Sequence, residues 1–572
     1  MGTQEIQKNL KWWQKTLVYQ VYPRSFQDTT GTGEGDIKGV TARLDYLKSL
    51  GVGAIWLTPI YPSPMVDNGY DIADYTAIDP RYGKMADMEE LIAEADARGI
   101  KIVMDLVYNH TSDQHAWFIN SKSAKDSDKA DWYIWRDAKE DGSAPTNWRS
   151  IFGGSAWTWC EERGQYYLHT FAVEQPDLNW ENPKVRRALY DAANFWLDKG
   201  VGGFRIDAIV YIKKPTEFVD HKPDSADGLV NIHSVIANTP GILDFLREFR
   251  REVFDGRDIF TVAEANGVSG DALLDWVGSR GAFSMLFEFS HVELEFPNGE
   301  LWAQSTGYVP SIVPRLRDAL YESQKVTKTD GWVPIFFENH DQMRSVNHFF
   351  PDTADKEKAA KALATIHMTL RGTPFIYEGE ELGLANVAWK SIDCYNDISS
   401  KGQYALALKE GLSDSEALKL VHRYSRDNAR TPMQWDAALN AGFTTGTPWL
   451  PVHDDYKTQN VASEELDQNS VLHYYRRLSK LRLVSEVQDI LTAGGFKPLM
   501  LDQGELIAFE RTLGARSVIT IVNMTEKEVS LNTNLTAGKV LITNFAGAAD
   551  NLKTGKMLPL GAAVIYKEEG QA

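Results

Sequence analysis

The chain is predicted to be an α/β protein: a (β/α)8 barrel with a small domain inserted after its third strand and an antiparallel β domain at its C-terminus. Three observations lead there. Eight short apolar runs alternate with stretches of helical spacing, the pattern of parallel strands joined by crossover helices. That alternation breaks between His110 and about Gln175, where a polar, aromatic-rich segment containing Gly153 and Gly154 is too long for a simple loop in a compact domain. After about Ser485 the helical spacing stops, and short apolar runs separated by Gly and Asn take over.

The strands predicted in order are Leu17 to Tyr22, Ala54 to Leu57, Ile102 to Val107, Phe204 to Asp207, Ile259 to Ala263, Phe283 to Phe289, Val333 to Phe337 and Pro374 to Tyr377. Between them, Val40 to Leu50 has helical spacing and a closing Gly51, and Ala86 to Arg98, Arg186 to Leu197, Leu243 to Phe254 and Lys358 to Leu370 continue the pattern. A second insertion, about Asn386 to Arg430, contains the helical stretch Ser413 to His422. Leu506 to Arg511, Val518 to Val522, Val540 to Asn544 and Ala562 to Tyr566 are the strands expected in the C-terminal β domain. The division is then 1–109 with 178–485 for the barrel, 110–177 for the inserted domain and 486–572 for a C-terminal β-sandwich.

Composition narrows the function. A net charge of -19 disfavours nucleic acid and anionic membrane surfaces as partners, whereas a neutral ligand meets no such penalty. Cys160 and Cys394, far apart in sequence, imply no disulfide framework. The start Met1 to Lys8 lacks the apolar stretch of a signal peptide, and no 18-residue apolar run occurs, so a cytoplasmic protein without a membrane span is expected.

Chemistry concentrates at strand ends. In Gly203 to Ala208 the apolar Phe204 and Ile206 alternate with Arg205 and Asp207, which a period of two places on one face. A guanidinium beside a carboxylate favours the ionised form that a nucleophile needs. In isolation such a pair is more often a structural ion pair. Three further strand ends carry similar groups, however: Asp105 with Asn109 and His110, then Glu264, then Asn339, His340 and Asp341. Barrel enzymes place their active site at the C-terminal ends of the strands, where all of these lie.

The stretches Asp105 to His110, Gly203 to Ala208, Thr261 to Glu264 and Glu338 to Asp341 resemble, in order and spacing, the four signature regions of the α-amylase family of glycoside hydrolases. Asp67 to Asp71, Gln175 to Asn179, Tyr377 to Gly383 and Arg426 to Trp435 are most similar to the oligo-1,6-glucosidase and α-glucosidase branch, which also contains sucrose isomerases. The resemblance runs from about Trp12 to beyond Trp435. It implies a retaining, exo-acting α-glucosidase on disaccharides and short gluco-oligosaccharides, with Asp207 as nucleophile, Glu264 as acid/base and Asp341 stabilising the transition state. It further implies that His110 and His340 bind glucose hydroxyls, that Tyr70 stacks on the terminal glucose, and that Asp67 bonds its far end and pairs with Arg426, Arg430 being the rival for that role. Phe152, Phe171 and Gln175 are expected on the cleft wall, and nothing cationic flanks Glu264 in sequence.

At Ala208, directly after the nucleophile, relatives that prefer α-1,6 bonds tend to have valine and those accepting α-1,4 bonds alanine or threonine. Mixed linkage is therefore expected, including sucrose or its isomers. The loop Asp28 to Asp36 lies where many relatives hold calcium, but Thr30 and Thr32 occupy two ligand positions, so no metal is expected there, and no cofactor elsewhere. The same scaffold also supports a sucrose isomerase or glucosyl transferase. An inactive amylase-like partner of a transporter is disfavoured, because Asp207, Glu264 and Asp341 are all retained.

Overall fold

The computed structural model describes residues 10–268, 270–295, 302–305, 307, 312–531 and 536–568; the N-terminal stretch Met1 to Lys8 lies outside them. Eight parallel strands form the central sheet: β1 (Val18–Val21), β2 (Ala54–Leu57), β3 (Lys101–Val107), β4 (Gly203–Asp207), β5 (Phe260–Glu264), β6 (Met285–Phe287), β7 (Pro334–Ile335) and β8 (Thr373–Tyr377). Their order is β6-β5-β4-β3-β2-β1-β8-β7. The two end strands meet to complete the ring, with Phe287 packed edge-on against Phe336 at 5.0 Å.

Every residue of β1, β2, β4 and β8 is buried, as expected of parallel strands covered on both faces. Gly203 opens β4 at φ +154, and a Cβ there would lie 2.0 Å from the Phe260 carbonyl oxygen of β5. The close approach of these two strands, which carry Asp207 and Glu264, therefore depends on that glycine.

The covering helices include Met85–Ala97, Pro183–Asp198 and Lys356–Thr369. Two helical expectations need correction. Val40 to Leu50 is not one helix but two, Ile37–Ala42 and Leu44–Ser49, which join at Arg43 where φ is -103 and ψ is 7. The stretch Leu243 to Phe254 is α-helical only over Ile242–Phe249 and then widens into a π turn, Arg250–Phe254.

Between β3 and β4 the chain forms a three-stranded antiparallel sheet from Trp135–Arg136, Trp157–Cys160 and Gln165–Leu168. A neighbouring strand, Trp148–Arg149, pairs with Val230–Asn231, which follows β4, so the segment is anchored from both sides of that strand. After β8 the helices Ile398–Lys409 and Asp414–Tyr424 form an antiparallel pair above the strand ends.

The C-terminal part is a five-stranded antiparallel sheet of β9 (Gly495–Leu499), β10 (Leu506–Leu513), β11 (Arg516–Asn523), β12 (Lys539–Thr543) and β13 (Ala562–Glu568), in the order β9-β10-β11-β13-β12. Its fifth strand, β9, was not anticipated, because Pro498 lies within it and its residues are exposed or half-buried at an edge. Arg511 of β10 is fully buried and donates to the Thr369, Leu491, Gly494 and Gly495 carbonyls, which ties the sheet to the end of helix Lys356–Thr369.

Candidate active site

At the C-terminal ends of the barrel strands lies a cavity of about 240 Å³. Asp207 and Glu264 reach it from the ends of β4 and β5, and Asp341 from the loop after β7. Beneath them Arg205, two residues before Asp207 on the same face of β4, is fully buried. Its Nη1 donates to Asp207 at 2.6 Å and to both Asp105 oxygens at 2.9 and 3.1 Å, and its Nη2 donates to Glu264. Nothing cationic flanks Glu264 in sequence, yet in the fold it has a cationic partner. The cation is 59 residues away in sequence and is brought in by the pairing of β4 with β5.

One guanidinium shared by three carboxylates does not offset all of them. Burial pushes the Asp207 carboxyl well above the ordinary range; Arg205 pulls it down, while Glu264, Asp105 and Asp341 add to the rise. The expectation that the neighbouring guanidinium favours ionised Asp207 is thereby corrected: Arg205 acts in that direction, but burial and the other carboxylates outweigh it. Asp207 therefore keeps its proton to higher pH than an isolated carboxyl would. Burial also raises Asp105, to about 6, against the pull of Arg205 and the hydrogen bonds from Tyr70 and Trp56.

Asp341 has the opposite environment. Burial alone would raise it, but His340, Arg426 and Arg430 outweigh burial and hold it well below the usual carboxylate range. His340 Nε2 lies 2.9 Å away, Arg426 Nη1 3.0 Å and Arg430 Nη2 2.8 Å. One site thus holds two differently tuned aspartates.

The far end of the cavity is closed by an ion pair between Arg426 and Asp67 at 2.9 Å. Gln175 donates to Asp67 at 3.2 Å, and Asp397 accepts from Arg426 Nε at 2.8 Å. Burial raises Asp67 to about 6 against Arg426 and Arg430. Tyr70 donates its hydroxyl to Asp105 at 3.0 Å, and its ring lies parallel to His340 with centroids 5.1 Å apart, so His340 covers one face. His110, lowered to about 4 mainly by burial, is held between the Tyr70 carbonyl and Gln175. Phe171 packs against His110, and Phe152 against Phe171 and Arg426.

Of the residues singled out from sequence, Asp67, Tyr70, His110, Phe152, Phe171, Asp207, Ala208, Glu264, Asp341 and Arg426 line the cavity. Three do not. Arg205, Gln175 and His340 are buried behind the wall, where they orient the carboxylates, Asp67 with His110, and Asp341 respectively. His340, expected to bind glucose hydroxyls, bonds Asp341 here, and Gln175, expected on the cleft wall, bonds Asp67. Ala208 has φ 43 and ψ 31, a left-handed conformation uncommon for a residue with a Cβ. Arg430 bonds Asp341 and the His340 carbonyl rather than Asp67.

Several lining residues were not anticipated: Tyr211 and Asn266 after β4 and β5, Glu293 and Trp302 after β6, Gln342 and Met343 beside Asp341, and Ser399, Gln403 and Tyr424 from the second insertion. Asp397, which clamps Arg426, also caps helix Ile398–Lys409 by accepting from the Ser399 and Ser400 amides. An aspartate before a helical stretch was the available signal for it.

In the loop Asp28 to Asp36, Asp28 accepts from the Thr30, Gly31 and Gly33 amides and from the Thr30 and Thr444 hydroxyls. Asp36 accepts from the Thr29 and Gly39 amides. The carboxylates that would ligate a cation are thus occupied by internal donors.

The family described as alpha amylase, catalytic domain, matches residues 20–494. An oligo-1,6-glucosidase of Parageobacillus thermoglucosidasius is 44% identical over 97% of this chain and 99% of its own length. Among solved structures, the trehalose-6-phosphate hydrolase of Bacillus licheniformis superposes with a TM-score of 0.88 at 42% identity, covering 98% of this chain and 100% of that one. The isomaltulose synthase of Protaminobacter rubrum gives 0.91 at 40% identity, covering 97% and 99%.

Proposed function

Because the chain belongs to the alpha-amylase family of glycoside hydrolases, we propose that it is a retaining, exo-acting α-glucosidase that removes terminal glucose from disaccharides and short gluco-oligosaccharides. The observation that carries this reading is one buried guanidinium, Arg205, bonded to both Asp207 and Glu264. Carboxylates spanned by a single side chain favour the close spacing of a retaining pair, about 5 to 5.5 Å, over the wider gap that admits a water in inverting enzymes.

In this assignment Asp207 attacks the anomeric carbon while Glu264 protonates the departing oxygen, forming a covalent glycosyl-enzyme. Glu264, now a carboxylate, deprotonates the water that attacks the same carbon, and glucose leaves with its α configuration. Asp341, kept ionised by His340, Arg426 and Arg430, faces the positive charge that develops on the ring. The Asp67 and Arg426 pair blocks extension beyond the terminal glucose, which supports cleavage from the chain end. Transfer of the glucosyl unit to a sugar acceptor, as in an isomerase, uses the same intermediate and is told apart by its products.

No described helix is long and apolar enough to cross a membrane. A cytoplasmic setting fits the two free cysteines, one of them exposed.

The test is the anomer of the first glucose released, followed by NMR at early times, together with Asp207→Asn. α-Glucose and a loss of several orders of magnitude in the folded variant are expected. β-Glucose as first product would overturn the assignment.

A further inference from the structure

Resting on the glycosidase reading, we infer that the leaving-sugar side of the cavity takes an uncharged sugar and rejects one that carries a phosphate. The departing oxygen must lie against Glu264, so the atoms attached to it pass over the residues that follow β5 and β6. There Asn266 donates to Glu293 at 3.2 Å, and Glu293 is exposed at the cavity wall. Asp105, Asp207 and Glu264 share the single Arg205 guanidinium, Asp67, Asp341 and Asp397 share Arg426 and Arg430, and Glu293 adds a further carboxylate, so carboxylates outnumber cations around the cavity in a protein of net charge -19. A phosphate entering the cavity meets repulsion that the partly enclosed, low-dielectric space strengthens.

Among the described lining residues the sole Lys or Arg is Arg426, which is already engaged by Asp67, Asp341 and Asp397. From Asp258 to Pro314, which spans the loops after β5 and β6, the sequence has one Lys or Arg, Arg280. Arg280 precedes β6 and so belongs to the far end of the barrel.

The polar groups that are present suit hydroxyls. Among the described residues Asn266 Oδ1 is buried with no hydrogen-bond partner. A sugar hydroxyl can donate to it; a phosphate dianion has no proton to give. Gln342 and Gln403 add amides, and Trp302 and Met343 add apolar surface for a pyranose face. Phosphate recognition elsewhere is built instead on Arg, Lys or clustered backbone amides.

The experiment compares trehalose 6-phosphate with trehalose, isomaltose, maltose and sucrose, as substrates and as competitors of p-nitrophenyl α-glucoside. A kcat/KM at least 100-fold below the best neutral disaccharide is expected for the phosphorylated sugar, with no competition at millimolar concentration. Equal or faster hydrolysis of trehalose 6-phosphate, or inhibition by it below the KM of that disaccharide, would overturn the inference. Glu293→Lys should raise the ratio of phosphorylated to neutral turnover at least tenfold, and an unchanged ratio in the folded variant would show that charge does not set the preference. Calorimetric binding of the same sugars to Asp207→Asn reads the discrimination without turnover. Failure to release glucose from every sugar and from the aryl glucoside would sink the glycosidase reading instead, and the binding comparison would still decide the preference.

Discussion

Replacing Arg205 by lysine keeps a positive charge but removes the fork that reaches Asp105, Asp207 and Glu264 at once. Breaking a buried charge network by removing one partner costs about 3 to 5 kcal/mol. Lysine restores part of this, since its ammonium still faces one or two of the carboxylates. If about 2 kcal/mol of the loss falls on ionised Asp207, the carboxyl rises by about 1.5 pKa units at 1.36 kcal/mol per unit. The sign follows from the environment: burial and three neighbouring carboxylates already push Asp207 up, and Arg205 is the cation that opposes them. A nucleophile must be ionised, so the acid limb of the kcat/KM profile should move to higher pH by about 1 to 2 units in Arg205→Lys. p-Nitrophenyl α-glucoside is the substrate of choice, because its leaving group needs no proton and the limb then reports Asp207 rather than Glu264. Circular dichroism establishes that the variant is folded. A limb that stays within about 0.3 units of wild type while kcat falls would show that Arg205 is structural and does not set the charge of Asp207.

Three further outcomes are expected. Ala208→Val should raise the isomaltose-to-maltose ratio of kcat/KM by narrowing the cavity, and should also lower Tm, because a β-branched residue at φ 43 adds strain of about 1 to 3 kcal/mol; Ala208→Gly should relieve that strain, and an unmoved ratio in both variants would remove the residue from linkage choice. Exhaustive chelation should leave activity and Tm unchanged, since the Asp28 carboxylate is already saturated by internal donors, and a rise of several degrees on adding millimolar calcium would contradict this. Asp397 is buried but held down to about 2 by Arg426 and Arg430, so its folded pKa lies below its unfolded value and its contribution is present above about pH 4 and lost as pH falls toward 2. Asp397→Asn should therefore be destabilised by about 2 kcal/mol near neutrality, with a Tm gap to wild type that narrows on acidification; a gap independent of pH would refute the charge argument.

Local sequence determined the barrel and marked the carboxylates gathered at its strand ends. Apolar runs of strand length alternating with helical spacing leave few topologies open, and a period of two along a strand decides which side chains share a face, so the pairing of Arg205 with Asp207 is legible from residue order alone. Even here local reading reached its limit at Arg43, where one apolar stripe continues through a break between two helices.

Contacts between distant segments were decided only by the tertiary structure. Arg205 reaches Glu264 because β4 and β5 are neighbours, and Asp397 holds Arg426 because the second insertion folds over the strand ends. Whether a residue such as His340 or Gln175 faces the ligand or stands behind the wall is a matter of a few ångströms of depth, on which residue type and motif spacing carry no information. The charge of Asp207 depends likewise on groups gathered from β3, β4, β5 and the loop after β7: the carboxylates of Asp105, Glu264 and Asp341, and the Arg205 guanidinium. Burial and Coulomb interactions act through space, and of these partners only Arg205 is a neighbour in the sequence.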